Sequence, residues 1–179
     1  MFQLQKKEGI LINWIYYPLS DEPTPLVKQV VGVFEKHSTQ IESLSHVGLD
    51  SDGVLKIVAD SLAEIGFDVE RGKKNAEKIK VPVLFGENGK PQKSFEADAF
   101  FPANGFVVEI EAGRGYTNYH FLKDIFEASM MHGAYYLAIA VRNDYRGNND
   151  YEKVVRFVDT LYASSRMKLP LKGLAIIGY

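Results

Sequence analysis

The chain has 179 residues, 46% of them hydrophobic and 25% charged, with a formal net charge of −2 and no cysteine. This length and composition suit one folded domain with its own core and exclude the depleted, highly charged profile of a disordered chain. Without cysteine there are no disulfides, no thiolate catalysis and no cysteine-based zinc or iron–sulfur sites, which suits a cytoplasmic setting and leaves oxygen and imidazole as the metal ligands. The slight negative charge excludes a uniformly positive surface, so any nucleic-acid contact needs a local basic patch.

Lys6-Lys7 followed by the apolar run Ile10 to Leu19 is interrupted by Asn13 and aromatics, with no small-residue cleavage site after it, and reads as an opening strand or arm. No stretch approaches the roughly 18 apolar residues of a membrane span. After the breaker cluster Asp21 to Pro25, the residues Leu26, Val27, Val30, Val31, Phe34, Ile41 and Leu44 recur at helical spacing, with a break near Ser38-Thr39. A second helix starts at Ser51 or Asp52 as N-cap, carries Val54, Leu55, Val58, Leu62 and Ile65, and stops at Gly66.

From Phe67 the period changes to two. Strands are expected at 67–70, 78–85, 94–101 and 106–111, with hairpin signals at Asn88-Gly89 and Asn104-Gly105, which makes an antiparallel meander. A helix over 116–132, with Phe121, Leu122, Ile125, Phe126, Ser129 and Met130 inward, leads through Gly133 to a buried strand at 135–141. The polar segment 142–150 reads as a long mobile loop, followed by a helix over 151–165 and a last strand at 174–177. The fold class is α/β, a mixed central sheet with an antiparallel meander flanked by helices.

Strand alternation places Glu109 and Glu111 on one face while Val108 and Ile110 point to the other. A two-residue loop at Asn104-Gly105 sets Asp98 opposite Glu111, about 5 Å across the strands with Glu109 about 7 Å along, whereas a four-residue turn sets it opposite Glu109. Either keeps three carboxylates on one face, where like charges oppose folding unless something offsets them. A hard divalent cation, Mg²⁺ or Mn²⁺, does so; an exposed, solvated sheet face is the bland alternative.

The sequence Glu96-Ala97-Asp98, then Val107-Val108-Glu109-Ile110-Glu111, a helix, and the strand Tyr136 to Val141 resembles the PD-(D/E)XK nuclease superfamily, the restriction endonuclease-like fold. The resemblance covers a core of 51–141, about half of the chain, with a helical extension over 1–50 and a helix and strand over 151–179. It implies that Asp98 and Glu109 bind Mg²⁺ with the Ile110 carbonyl as a further ligand. Glu111 stands where the family usually has Lys, and Ala97 where it has Pro. A subset of type II restriction enzymes carries Glu at that position, where a carboxylate can hold the attacking water and take its proton. The implied activity is Mg²⁺-dependent DNA endonuclease, as a homodimer; a non-catalytic DNA-binding relative, or a nuclease acting on RNA or branched DNA, are the other readings.

Lys123 and Lys93 are candidates for the missing ammonium. Between Glu70 and Lys93 there are seven Lys or Arg against three acids, so Lys73, Lys74 and Lys93 could track phosphates, or form a solvated hairpin edge. Arg114, between two glycines just past the acids, could bind phosphate bidentately or neutralise the acids. Asn118 and Asp124 share no helix face, and His37, His46, His120 and His132 lack metal-ligand spacing and read as surface or cap residues.

Overall fold

A computed structural model describes residues 11–113, 118–164 and 166–179. Its described elements, in chain order, are β1 (Asn13–Tyr17), α1 (Pro25–Lys36), α2 (Ser38–Ile41), α3 (Ser51–Glu64), β2 (Asp68–Val69), β3 (Ile79–Phe85), β4 (Pro91–Ala97), β5 (Ala99–Phe101), β6 (Phe106–Glu111), α4 (His120–Met130), β7 (Tyr136–Val141), α5 (Asp150–Ala163) and β8 (Gly173–Gly178).

Six strands form a mixed sheet in the order β1-β8-β7-β6-β5-β2, and β3 and β4 form a separate two-stranded hairpin. β6, β7 and β8 run parallel, while β1 and the β5-β2 pair run antiparallel at the two sides. The near-continuous apolar runs of β7 and β8 follow from this, because parallel strands in the middle of a sheet are covered on both faces. One face carries α1 and α3 over Phe106, Val108, Ile110 and Ala138. The other carries α4, α5 and the β3-β4 hairpin over Val107, Leu137, Ile139 and Leu174. The segment before Ser51, read as a helical extension, supplies edge strand β1 and packs α1 into the core.

Thr24 caps α1 by accepting from the Val27 N–H at 3.3 Å, and Pro25 takes the first helical position, where a missing N–H costs nothing. The N-cap of α3 is Asp50 rather than Ser51 or Asp52. The Ser51 hydroxyl instead accepts from the Ala112 N–H at 3.0 Å, tying the start of α3 to the end of β6.

Three expectations need correction. The strand expected over 94–101 is broken at Asp98 into β4 and β5, which belong to different sheets, so the meander is β2, β5, β6 with a hairpin inserted in it. In α4 the buried face is Phe121, Asp124, Ile125 and Ala128, whereas Phe126 and Met130 are exposed, a phase shift of about one residue. The segment after β7 is anchored: buried Arg142 donates to the carbonyls of Val47, at 2.9 Å, and Leu49.

The two Asn-Gly pairs behave differently. Asn88 and Gly89 both have positive φ, as a type I′ hairpin turn requires. At Asn104-Gly105 only the glycine does, and Phe101 pairs with Phe106, so the loop has four residues. Gly105 is held there because its carbonyl accepts from the N–H groups of Tyr135 and Tyr136 at 2.7 and 3.0 Å, seating the turn on the start of β7. A Cβ on Gly105 would meet the Gly133 carbonyl oxygen at 1.9 Å, whereas one on Gly89 has open space. Gly105→Ala is therefore expected to destabilise the protein by about 3 kcal/mol or more and Gly89→Ala by only about 1 kcal/mol, as measured by urea unfolding.

Candidate functional site

Glu109 and Glu111 share the face of Val107, the face that α4 covers. The four-residue loop sets Asp98 level with Glu109, the second of the two registers open from the sequence. Where β4 leaves the main sheet, β6 loses its ladder partner, and Asp98 replaces it. The Asp98 Oδ2 accepts from the Ile110 N–H at 2.7 Å, while the Asp98 N–H donates to the Glu109 carboxylate. Its carbonyl accepts from the Glu70 N–H at 2.8 Å. The strand break is thus hydrogen-bonded on all sides, as buried backbone must be, and it aims two acids into one space.

That space is a cleft of about 250 Å³ lined by seven carboxylates and three lysines. Each lysine pairs with an acid: Lys73 with Glu70 at 3.2 Å and with Asp52 at 2.7 Å, Lys78 with Glu96, and Lys123 with Glu127 at 3.3 Å. The other four acids, Asp98, Glu109, Glu111 and Asp124, have no lysine salt bridge among the described residues. Glu111 Oε2 lies 3.4 Å from His120 Nδ1, and its carboxyl is hydrogen-bonded with Asp124.

Burial raises all four acids above the usual carboxylate range, and neighbouring acids add to it for Asp98, Glu109 and Asp124. Asp98 is pushed up to about 7, by burial first and then by the charges of Glu70 and Glu111, against the Ile110 hydrogen bond and Lys73. Asp124 is pushed up to about 8 by burial and by Glu111. Glu109 is raised well above its ordinary value by burial and the Asp98 and Asp124 charges, and Glu111 is raised by burial, with His120 opposing. A solvated sheet face does not describe this site.

Asp124, which shares no helix face with Asn118, sits at the i+3 position of a stripe made by Phe121, Ile125 and Ala128. An acid inside an apolar stripe is the signal that could have found it. His120, read as a surface or cap residue, stands beside Glu111, and His37 packs its Nε2 against Ser61 Oγ at 3.0 Å. Lys73 and Lys123 line the cleft, as does Lys78, while Lys74 and Lys93 do not; Lys93 lies over the Phe95 ring. Arg114 lies outside the described residues.

The donor set consists of hard carboxylate oxygens, with Asp124 Oδ2 buried and lacking a hydrogen-bond partner, and this fits Mg²⁺ or Mn²⁺. Among the described residues no group of three or more His, Asp or Glu side chains is placed to hold a metal ion. Mg²⁺ does not require one, since it is commonly held by one or two carboxylates with waters and substrate phosphate completing the shell. Comparison with protein-family models and with curated proteins found no match, so the functional reading rests on this geometry.

A carboxyl with a raised folded-state pKa favours the folded state at low pH, and that contribution is lost as pH rises through the folded value. With Asp98 at about 7 and Asp124 at about 8, the metal-free protein should lose stability between about pH 5 and 8.5. Thermal melting in chelator across that range is expected to show a falling Tm, a shallower fall in Asp124→Asn, and recovery at the alkaline end on adding Mg²⁺ or Mn²⁺. A flat profile in the wild type would contradict the buried acid cluster.

Proposed function

We propose that this chain is a divalent-metal-dependent nuclease of the restriction endonuclease-like fold that hydrolyses phosphodiester bonds in DNA. The observation that carries the reading is the convergence of Asp98, Glu109 and Glu111 in a cleft four of whose carboxylates have no lysine salt bridge among the described residues. The order α3, β2, β5, β6, α4, β7 supports the fold, being a helix, three antiparallel strands, a helix and a strand parallel to the third.

Asp98 and Glu109 are the residues that would hold Mg²⁺ or Mn²⁺, with the Ile110 carbonyl beside them. The bound ion supplies Lewis-acid stabilisation of phosphate charge and lowers the pKa of its water. Glu111, steadied by His120, would hold an attacking water and accept its proton. Lys123, on α4 at the cleft wall, is the better candidate than Lys93 for the ammonium that the motif lacks at Glu111. Lys73 and Lys78 add positive charge to the cleft, where a phosphate backbone would pass. Cutting both strands of a duplex is most simply done by two symmetric sites, so the working form is proposed to be a homodimer.

A second reading, a non-catalytic DNA-binding relative, is favoured by two features: Glu111 at the motif's lysine position, and the pairing of each cleft lysine with an acid. Cleavage assays on plasmid DNA, RNA and branched DNA with Mg²⁺, Mn²⁺ or no metal separate the two. The nuclease reading expects metal-dependent cleavage that falls at least ~100-fold in Asp98→Ala and Glu109→Ala. Full activity in both variants would refute the site, and salt-sensitive binding without cleavage under any metal would favour the relative. Lys123→Ala is expected to lower kcat by about 10-fold or more, and Lys93→Ala to leave it within about 2-fold.

A further inference from the structure

Beside the cleft, the seam between the β3-β4 hairpin and α4 carries an apolar strip that the core does not use. Lys93 and Phe95 share one face of β4, with Leu84 opposite Lys93, and the Lys93 ammonium lies 5.4 Å from the Phe95 ring centre. Phe95 reaches Phe126 of α4, with 6.5 Å between ring centres, and Phe85 at the far end of the hairpin meets the His132 ring at 5.1 Å. Phe126 and Met130 are one turn apart on α4, and Phe126 is one turn from Lys123, a residue of the cleft wall. Lys78, just before β3, and Glu96 of β4 line the cleft too, so the strip runs outward from it. Leu84, Phe85, Phe126 and Met130 are each between 46% and 58% exposed.

A contiguous exposed strip of large apolar side chains marks a binding surface, and its charge selects the partner. Residues 78–97 carry four lysines and two glutamates, and Glu96 is paired with Lys78, which leaves Lys80, Lys90 and Lys93 against Glu87. Rings interleaved with ammonium groups fit a chain of stackable bases joined by phosphates. Duplex DNA does not fit them, because its base faces are buried in the stack and the rings would meet only sugar and phosphate. A second copy docking by the same strip would set lysine against lysine, which opposes self-association there. We propose that this seam is a track for a single strand of DNA leaving the cleft, with bases stacked on Phe126 and Phe85 and phosphates met by Lys93 and Lys90. The inference rests on the DNA reading of the cleft and names the form of DNA, one that carries a single-stranded stretch beside the cut. Lys93 then acts on affinity alone, so its loss is felt in KM and leaves kcat in place.

The test is fluorescence anisotropy of the full chain in chelator, which prevents cleavage, with a labelled oligodeoxythymidylate of about 20 nucleotides and with a duplex of the same length. Wild type is expected to bind the single strand about 10-fold more tightly than the duplex. Phe126→Ala and Phe85→Ala should each weaken single-strand binding about 10-fold and leave duplex binding within about 2-fold. Lys93→Ala should weaken it less and flatten its dependence on salt. Urea unfolding serves as the folding control, since all three side chains are exposed and their loss should barely move the midpoint. Wild-type affinity in both ring variants would overturn the track, as would a wild type that prefers the duplex. Ring variants that turn a dimer into a monomer in sedimentation velocity, with single-strand affinity intact, would also overturn it and make the strip a self-association face. Single-strand binding in a chain that cleaves under no metal keeps the track and removes the nuclease reading. Metal-dependent cleavage lost in Asp98→Ala, beside ring variants of unchanged affinity, does the reverse.

Discussion

Four carboxyl groups brought into one half-closed cleft repel one another, and much of the local architecture can be understood from how that repulsion is contained. In water each acid would ionise near its ordinary value. Here burial strengthens the repulsion, and Asp98 and Asp124 keep their protons up to about 7 and 8. Stability does not explain such a cluster, because apolar side chains would fill the same space without the penalty. Groups so perturbed and so close together, in a cleft, are the usual mark of a functional site.

The arrangement depends on a strand that changes sheets. β4 belongs to the hairpin, β5 to the main sheet, and Asp98 occupies the single residue between them. A strand that kept its pairing would have used a backbone carbonyl at that level of β6; instead, a side-chain carboxylate accepts from the Ile110 N–H. The hydrogen bond that repairs the sheet also points an acid at Glu109. Backbone satisfaction and site construction are therefore one interaction, and the Gly105 turn, seated on β7, sets the register that makes it possible.

Charge is sorted by partner. The three lysines of the cleft neutralise Glu70, Glu96 and Glu127, and Asp98, Glu109, Glu111 and Asp124 are left to backbone N–H groups, to His120 and to one another. A long flexible side chain can keep its ammonium hydrated, whereas placing it among those four acids would cost desolvation. A small cation avoids that cost by bringing its own waters and by taking oxygen ligands from several strands at once.

The amino-acid order alone was enough for the alternation that puts Glu109 and Glu111 on one face, for a hairpin at Asn88-Gly89, and for most helix and strand positions, because these depend on local periodicity and on φ preferences. It left two registers open for Asp98, since an Asn-Gly pair allows either loop length until Gly105 meets the backbone of residues 133–136. Asp124 was illegible for a related reason. Its membership in the site depends on the rotation of α4 about its own axis, and that rotation follows from packing against the sheet rather than from propensity. The departure of β4 into its own hairpin and the pairing of Lys73 and Lys78 with Asp52 and Glu96 likewise exist only between segments distant in the chain, so tertiary structure alone could decide them.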